Sequence, residues 1–277
     1  MANEYLANMF DASGKVVAVT GGGGILCSVM AQALGKAGAE VAVLDLREDA
    51  AEAVAEQVRT SGGKAIAVKV DVLDRESVIE AHAKVVEGLG PVDVLVNGAG
   101  GNKKEATTSD DLSFFDLPDS AVRWVFDLNC LGTIMPSQIF CRAMAERGAG
   151  NVVNISSMSA FHPLTKVLGY SAAKAAISNF TEWLAIHMAR NCSTKIRVNA
   201  IAPGFFLTEQ NRFLLVDQET GEPTPRGKDI IAATPMARYG EPEELLGALF
   251  WLIGDASSFV TGTVVPVDGG FNAFCGV

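Results

Sequence analysis

The chain has 277 residues, of which 49% are hydrophobic, so it can bury the core of one large α/β domain spanning 1–277. Its 32 acidic and 22 basic residues leave a formal charge of −10, which argues against nucleic acid and anionic membranes as partners. The five cysteines are scattered without CxxC spacing, and the N-terminus lacks the basic and apolar segments of a secretory signal. We therefore expect no metal site, no disulfides and a cytoplasmic location.

Short β-branched runs alternate along the chain with longer segments of helical periodicity. This alternation predicts βαβ units, and hence a Rossmann-type doubly wound parallel sheet of about seven strands with helices on both faces. The predicted strands are 16–20, 41–44, 65–70, 92–97, 151–155, 197–200 and 264–267. The predicted helices are 25–37, 49–61, 77–87, one within 119–146, one within 170–190, and 242–253.

A stretch at about 204–240 interrupts this rhythm with closely spaced prolines and glycines, among them Gly221, Pro223 and Pro225. It follows a strand and is too long for an ordinary connection between a strand and a helix. We therefore expect a substrate-loop insertion or lid.

The first predicted strand runs into four glycines, Gly21 to Gly24, and then into a helix, which is the context of a dinucleotide site. Glycines let the backbone approach a pyrophosphate, and the N-terminus of the following helix offers N–H groups and the positive end of its dipole. When the motif GxGxxG is counted from Gly22, Cys27 stands at the position of the third glycine. Cysteine is a small residue that still allows close packing of the helix on the strand. A plain tight turn is the alternative.

Acidic residues end the second strand and follow the third. Asp45 lies 21 residues after Gly24, where a carboxylate can accept hydrogen bonds from the adenosine ribose. A carboxylate there favours NAD over NADP, whose 2′-phosphate it would repel, although Arg47 could accommodate that phosphate. Asp71 follows the third strand and Asn97 ends the fourth, so both are expected at the same edge of the sheet, unless each is only a turn residue.

Tyr170 and Lys174 are four residues apart at the start of a predicted helix, and so lie on one face of it. Ser157 follows the strand 151–155, and Asn129 lies on the preceding long helix. Taken singly, Ser157 could cap a turn and Asn129 could bridge helix carbonyls. All four occurring in this order indicates proton-transfer chemistry.

The ordered motifs resemble the short-chain dehydrogenase/reductase family over essentially the whole chain. They are Thr20-Gly-Gly-Gly-Gly, Asn97-Gly-Ala-Gly, Asn129, Ser157, Tyr170, Lys174 and Pro203-Gly204 through Thr208. The glycine turn departs from the family's TGxxxGxG, since Ile25 and Cys27 stand at the later glycine positions.

The resemblance implies that Tyr170 is the general acid or base and that Lys174 lowers its pKa and holds the nicotinamide ribose. It also implies that Ser157 orients the substrate carbonyl and that Asn129 supports a proton relay. An ammonium about 4 Å away at an effective dielectric near 20 supplies about 4 kcal/mol, which would bring a tyrosine pKa from about 10 to about 7.

The resemblance also implies a cofactor, NAD, with NADP not excluded. The expected cofactor-binding residues are Gly21, Gly22, Gly24, Ile25, Leu26, Asp45, Asp71, Val72, Asn97, Gly98, Ala99, Tyr170, Lys174, Pro203, Gly204, Phe206 and Thr208. Of these, Pro203, Gly204 and Thr208 match the family's PGxxxT, which contacts the nicotinamide amide, although Thr208 could instead start a helix.

Four longer strings, at 97–102, 154–166, 202–215 and 267–274, resemble the D-mannonate oxidoreductase (fructuronate reductase) branch of the family. The implied reaction interconverts D-mannonate and D-fructuronate. A polyhydroxy acid needs a cation for its carboxylate and hydrogen-bonding groups for its hydroxyls. The substrate-binding candidates are Asn102, Ser157, Lys166, Gln210 and Arg212, while His162 is expected to be structural. For Lys166 and Arg212 the alternative is a solvated loop charge.

Two other functions stay open: a related sugar-acid, keto-sugar or polyol dehydrogenase such as gluconate 5-dehydrogenase, and a non-catalytic NAD-sensing protein. The resemblance further implies a homotetramer formed through the two long helices and the last strand. On that basis 119–146 and 271–277 are candidate interface segments, although Trp124, Phe126, Trp183 and Phe274 could equally belong to the core.

Overall fold

The structure, a computed structural model, describes residues 2–207, 212, 215–217 and 220–276, with side chains from residue 5 onward. Seven strands form one parallel sheet in the order β3-β2-β1-β4-β5-β6-β7. They are β1 Val16–Thr20, β2 Glu40–Asp45, β3 Lys64–Lys69, β4 Val94–Asn97, β5 Gly150–Ile155, β6 Ile196–Pro203 and β7 Val264–Val267. The predicted doubly wound parallel sheet is confirmed.

The helices connect successive strands or flank them. They are α1 Ala2–Met9, α2 Ile25–Lys36, α3 Glu48–Thr60, α4 Arg75–Leu89, α5 Asp119–Arg147, α6 Leu168–Asn191, α7 Pro225–Ala233 and α8 Leu246–Ile253. The predicted last helix at 242–253 is divided, because Pro242–Leu245 forms a 3₁₀ turn before α8 begins.

Among the described residues, two α-helices were missed by the sequence prediction, α1 and α7. Helix α7 lies inside the predicted substrate loop, and it begins because Pro225 occupies its first turn and the Thr224 hydroxyl accepts the Gly227 N–H at 3.1 Å. Of the described residues of the insertion, Phe206 pairs with Gly240 in an isolated parallel bridge that joins its two ends.

Successive residues of β1 point to opposite faces of the sheet, and the whole strand is buried. Val17 and Val19 join a core with α2, α3 and α8, whereas Ala18 joins a second core with α4, α5 and α6. Burial of both sheet faces explains why the strands read as continuous apolar runs rather than as alternating ones. No helix within the described residues is both long and apolar enough to cross a membrane.

The strand order reverses beside β1, which has β2 on one side and β4 on the other. Connections leaving β1 and β4 therefore pass to opposite faces and open a crevice at the carboxyl edge of the sheet, where doubly wound folds bind ligands. The glycine turn after β1 and the segment 98–102 after β4 both lie at this crevice.

Candidate active site

The glycine turn brings the backbone of β1 against the loop after β4. Gly21 has φ +64°, and a Cβ at this position would lie 2.8 Å from the backbone of Ala99. A Cβ at Gly22 would lie 2.7 Å from a methyl group of Val43. Helix α2 then starts after Gly24 without a side-chain cap. Backbone that no side chain covers and an uncapped helix N-terminus fit the pyrophosphate of a dinucleotide.

Cys27 replaces the third glycine of the motif, and the structure shows how the fold accommodates it. The cysteine is buried, and a side chain at Gly98 would overlap its sulfur. Gly98 and Ala99 are held in place by their N–H groups, which donate to the Thr20 hydroxyl at 3.1 and 3.3 Å. The close approach of α2 to the sheet therefore depends on glycine at 98 instead of at 27. Burial raises the pKa of the Cys27 thiol to about 12, so it stays protonated at neutral pH.

We expect Gly98→Ala to lower the free energy of unfolding by about 1–3 kcal/mol through overpacking against Cys27. In a Cys27→Ala background the sulfur is gone, so the same substitution should cost at least about 1 kcal/mol less. Urea unfolding of the four proteins of this cycle measures the coupling, and Gly101→Ala is the control because a Cβ there meets nothing within 4 Å. An equal cost in both backgrounds would contradict the steric pairing.

Asp45 ends β2 beside the glycine turn. Its carboxylate accepts the N–H of Gly23 and the N–H of Arg47, both at 3.0 Å. The Arg47 side chain is 63% exposed, and its Nε lies 4.0 Å from the carboxylate, so it neutralises Asp45 only weakly. The turn thus has a fixed negative charge at its rim, where the motif predicts the adenosine ribose.

The residues at the ends of β3 and β4 differ in exposure: one side chain is exposed and two are buried inside the protein. Asp71 is exposed, and its carboxylate accepts the Leu73 N–H at 2.9 Å. Val72 is buried, and a Cβ at Gly132 would lie 2.9 Å from its methyl group. Asn97 is buried and donates to Asn154 at 2.9 Å. Any contact of Val72 or Asn97 with a cofactor would therefore be through the backbone, since their side chains are engaged inside the protein.

Lys174 is the buried cation of the site, with 4% of its surface exposed. Its Nζ donates to the Ile155 carbonyl at 2.7 Å and lies 5.5 Å from the centroid of the Tyr170 ring. Burial lowers the pKa of Lys174 to about 8. A Cβ at Gly100 would lie 3.4 Å from this Nζ, so the glycine after Ala99 leaves the ammonium open towards the crevice.

Tyr170 is half-buried at the start of α6, and the Ser157 side chain is close enough to affect the pKa of its hydroxyl. Burial raises the pKa of Tyr170, and the neighbouring Ser157 side chain lowers it by less. The lowering of this pKa by Lys174 stays a prediction; the ammonium donates to the Ile155 carbonyl and lies over the tyrosine ring. Ser157 also accepts the Ser159 N–H at 3.1 Å, which fixes its position at the end of β5.

Asn129 is fully buried on α5 and joins that helix to the loop after β4. Its amide donates to the carbonyls of Gly101 at 2.6 Å and Val125 at 2.8 Å, and its side-chain oxygen accepts the Gly101 N–H at 3.1 Å. A Cβ at Gly100 would lie 2.6 Å from the same oxygen, so Asn129 and Lys174 flank one glycine. Its part in a proton relay stays a prediction, since these three hydrogen bonds join its side chain to backbone groups.

The described substrate-side candidates lie in the loops after β4, β5 and β6. Asn102 donates to the Thr107 hydroxyl at 2.8 Å. The side chain of Lys166 is exposed while its carbonyl accepts the Thr108 N–H at 3.0 Å, and Arg212 is exposed in the insertion. The predicted Thr208 and Gln210 lie outside the described residues.

The PGxxxT segment begins at the end of β6. The Gly204 N–H donates to the Val267 carbonyl at 2.9 Å, and a Cβ at Gly204 would lie 2.6 Å from the Cα of Asp268. Phe206 is buried in the core with α2 and α8. Only its backbone is therefore placed to contact a cofactor, as for Val72 and Asn97.

Sequence reasoning missed the support beneath the tyrosine. Ala106 is fully buried in a cluster with Ala121, Val125 and the ring of Tyr170. Lys103 places its ammonium 4.8 Å from the centroid of the Trp124 ring. In the sequence, the contact of Ala106 with Tyr170 is indicated by an alanine within a polar run. The contact of Lys103 with Trp124 has no local sequence signal. Among the described residues, no three His, Cys, Asp or Glu side chains cluster to hold a metal ion.

Known proteins resemble this chain over nearly its full length. The model of the short chain dehydrogenase family matches residues 15–219. The 5-keto-D-gluconate 5-reductase of Escherichia coli is 32% identical over 263 residues, covering 95% of this chain and 97% of the relative.

Two solved structures share the fold. A candidate D-mannonate oxidoreductase from Haemophilus influenzae with bound NAD is 47% identical with a TM-score of 0.91, covering 98% of this chain and 100% of that one. A gluconate 5-dehydrogenase from Burkholderia cenocepacia in complex with NADP and tartrate is 29% identical with a TM-score of 0.85, covering 97% and 99%. From the family match, the relatives and the seven-stranded sheet together, we conclude that this chain is an oxidoreductase of the short-chain dehydrogenase/reductase family.

Proposed function

We propose that the protein interconverts a sugar-acid alcohol and its ketone with NAD(H), and that D-mannonate and D-fructuronate are the pair. The observation that carries the proposal is the cluster of Ser157, Tyr170 and Lys174 at the mouth of the crevice formed by the glycine turn. A hydroxyl that exchanges protons, a second hydroxyl close to it and a buried cation are what a carbonyl–alcohol interconversion requires.

In this proposal Tyr170 donates a proton to the ketone oxygen, or removes it from the alcohol in the reverse direction. Its raised pKa keeps the hydroxyl protonated at neutral pH, which is the state that a general acid needs. Ser157, fixed by the Ser159 N–H, orients the carbonyl beside the tyrosine. When bound, the nicotinamide supplies or accepts the hydride.

Lys174 holds positive charge behind the tyrosine. Its pKa near 8 means that most of the ammonium is charged at neutral pH. Lys174 would hold the nicotinamide ribose through the donors that the Ile155 carbonyl leaves free. Its charge would also stabilise the tyrosinate that remains after proton donation.

The glycine turn, Asp45 and the strand ends would bind the rest of the cofactor. We propose NAD rather than NADP, because the Asp45 carboxylate lies at the rim of the turn with little neutralisation by Arg47. Asp45→Asn should shift the ratio of kcat/KM for NADPH over NADH upward by at least about tenfold, since the variant removes a charge that repels the 2′-phosphate.

The substrate class is proposed from the relatives and from the loops. Proteins similar to this chain include a sugar-acid reductase and a gluconate 5-dehydrogenase bound to tartrate, itself a hydroxy acid. Lys166 and Arg212 are the exposed cations of the described loops that we propose for the substrate carboxylate. Asn102, Ser157 and Gln210 would bind hydroxyl or carbonyl oxygens.

The test is a paired assay of purified protein with NADH or NADPH at equal concentration. D-Fructuronate is compared with 5-keto-D-gluconate, and oxidation of the reduced nicotinamide is followed by its absorbance. We expect the highest kcat/KM with D-fructuronate and NADH. Preference for 5-keto-D-gluconate would favour the second candidate, which the 32% identical Escherichia coli reductase supports. Absence of turnover of either compound would remove the substrate assignment and leave only the family.

We also propose that the protein is a cytoplasmic homotetramer. Large apolar side chains on the two long helices are exposed in the monomer rather than buried in its core, including Trp124 and Leu131 on α5 and Trp183 and Ile186 on α6. Exposed apolar surface of this extent on one chain is typical of a subunit interface. Light scattering measures the mass directly, and a monomer at micromolar concentration would contradict the assembly.

A further inference from the structure

The segment after β7, residues 268–274, lies where three loops meet at the carboxyl edge of the sheet. We call it the C-terminal clasp. It contacts the loop after β5 through His162, the loop after β6 through Phe205, and the end of the insertion through Met236. The loop after β5 also contains Ser157 and Lys166, and the insertion contains Arg212.

The clasp is shaped by its own sequence. Asp268 caps it, since its carboxylate accepts the N–H of Gly270 at 2.9 Å and of Asn272 at 2.7 Å. Gly269 and Gly270 have φ +63° and +89°, and a Cβ at Gly269 would lie 2.8 Å from a methyl group of Thr234. The two glycines let the chain turn tightly against the end of the insertion.

Two contacts hold the clasp on the catalytic side. The Nε2 atom of His162 lies 3.0 Å from the carbonyl oxygen of Asn272. A carbonyl can only accept, so His162 is the donor in this bond. The ring of Phe271 packs edge-on against Phe205 with centroids 5.3 Å apart. Phe205 comes directly after Pro203-Gly204, so the contact between Phe205 and Phe271 couples the clasp to the end of β6.

We propose that His162 is a positioning residue that holds the clasp against the loop of Ser157 and so sets one wall of the substrate site. This inference rests on the proposed activity toward sugar acids. The side chain of His162 is exposed apart from this bond, so it adds little to the core. Its loss should free the clasp without unfolding the domain, which weakens substrate binding more than it slows the chemical step.

The experiment compares His162→Ala, which removes the donor, with His162→Gln, which keeps an N–H donor at a similar reach. Lys15→Met is the matched control, because it also removes one side-chain donor to a backbone carbonyl, that of Ile253 at 2.9 Å, but before β1 at the opposite edge of the sheet. The first readout is amide hydrogen exchange of the 268–276 peptide, and the second is KM and kcat for D-fructuronate at saturating NADH.

For His162→Ala we expect exchange in the clasp to be about three- to tenfold faster, which corresponds to the loss of one hydrogen bond. KM should rise about three- to tenfold while kcat stays within about twofold. His162→Gln should recover most of both effects, and Lys15→Met should show neither.

Unchanged exchange in His162→Ala would overturn the proposal, and so would a glutamine variant as defective as the alanine variant. Faster exchange with an unchanged KM would overturn the role in substrate binding. The exchange measurement needs no substrate, so it remains decisive for the clasp even if the protein fails to reduce any sugar acid. Failure of the proposed function would then be visible in the wild-type assay alone.

Discussion

Tyr170→Phe is expected to lower kcat/KM for alcohol–ketone interconversion by about 10²- to 10⁴-fold, the usual contribution of a positioned general acid or base. The substitution removes one hydroxyl and keeps the ring that packs on Ala106. Ser157 retains its bond from the Ser159 N–H, so the loop after β5 should keep its conformation. The loss should therefore be chemical rather than structural.

Steady-state kinetics with NADH, together with NADH binding followed by fluorescence, test this expectation. Binding should change by less than about twofold, since the ring remains in place. Tyr5→Phe is the control, because that side chain is 68% exposed on α1, before the first strand. Retained turnover in Tyr170→Phe would remove the tyrosine from the mechanism and leave the cofactor site intact.

Lys174→Met is expected to reduce kcat/KM by at least about 100-fold and to change how stability depends on pH. The ordinary pKa of a lysine is about 10.5, and burial lowers that of Lys174 to about 8. Below pH 8 the folded wild type keeps a desolvated ammonium, which costs stability. As the pH rises from 8 to 10.5 the unfolded chain binds more protons than the folded one, so the wild type gains stability.

Methionine does not titrate, so only the wild type gains this stability. The free energy of unfolding of the variant, relative to that of the wild type, should therefore fall by up to about 3 kcal/mol between pH 7 and pH 10.5. Urea unfolding of both proteins at these two pH values measures the difference. Lys228→Met, at an exposed position on α7, is the control and should show no such change. A pH-independent difference for Lys174→Met would mean that the lysine is not desolvated in the folded protein.

Local patterns were sufficient to predict the architecture. The seven strands appear near their predicted positions because apolar β-branched runs and helical periodicity are properties of neighbouring residues. The same holds for Tyr170 and Lys174, whose spacing alone places them on one face of α6. The insertion was harder to predict, because proline is typical both of loops and of the first turn of a helix. Its prolines and glycines indicate a loop, but Pro225 lies in the first turn of α7.

The sequence by itself determined the family, the parallel sheet and the identity of the candidate proton-transfer residues, because these depend on order and spacing along the chain. The tertiary structure decided their electrostatics: burial beside the Ile155 carbonyl depresses the pKa of Lys174, and burial raises that of Tyr170. It also decided which distant residues meet, as Cys27 does with Gly98 and His162 with the clasp. Desolvation and steric fit depend on segments far apart in the chain, and no local pattern encodes their distances.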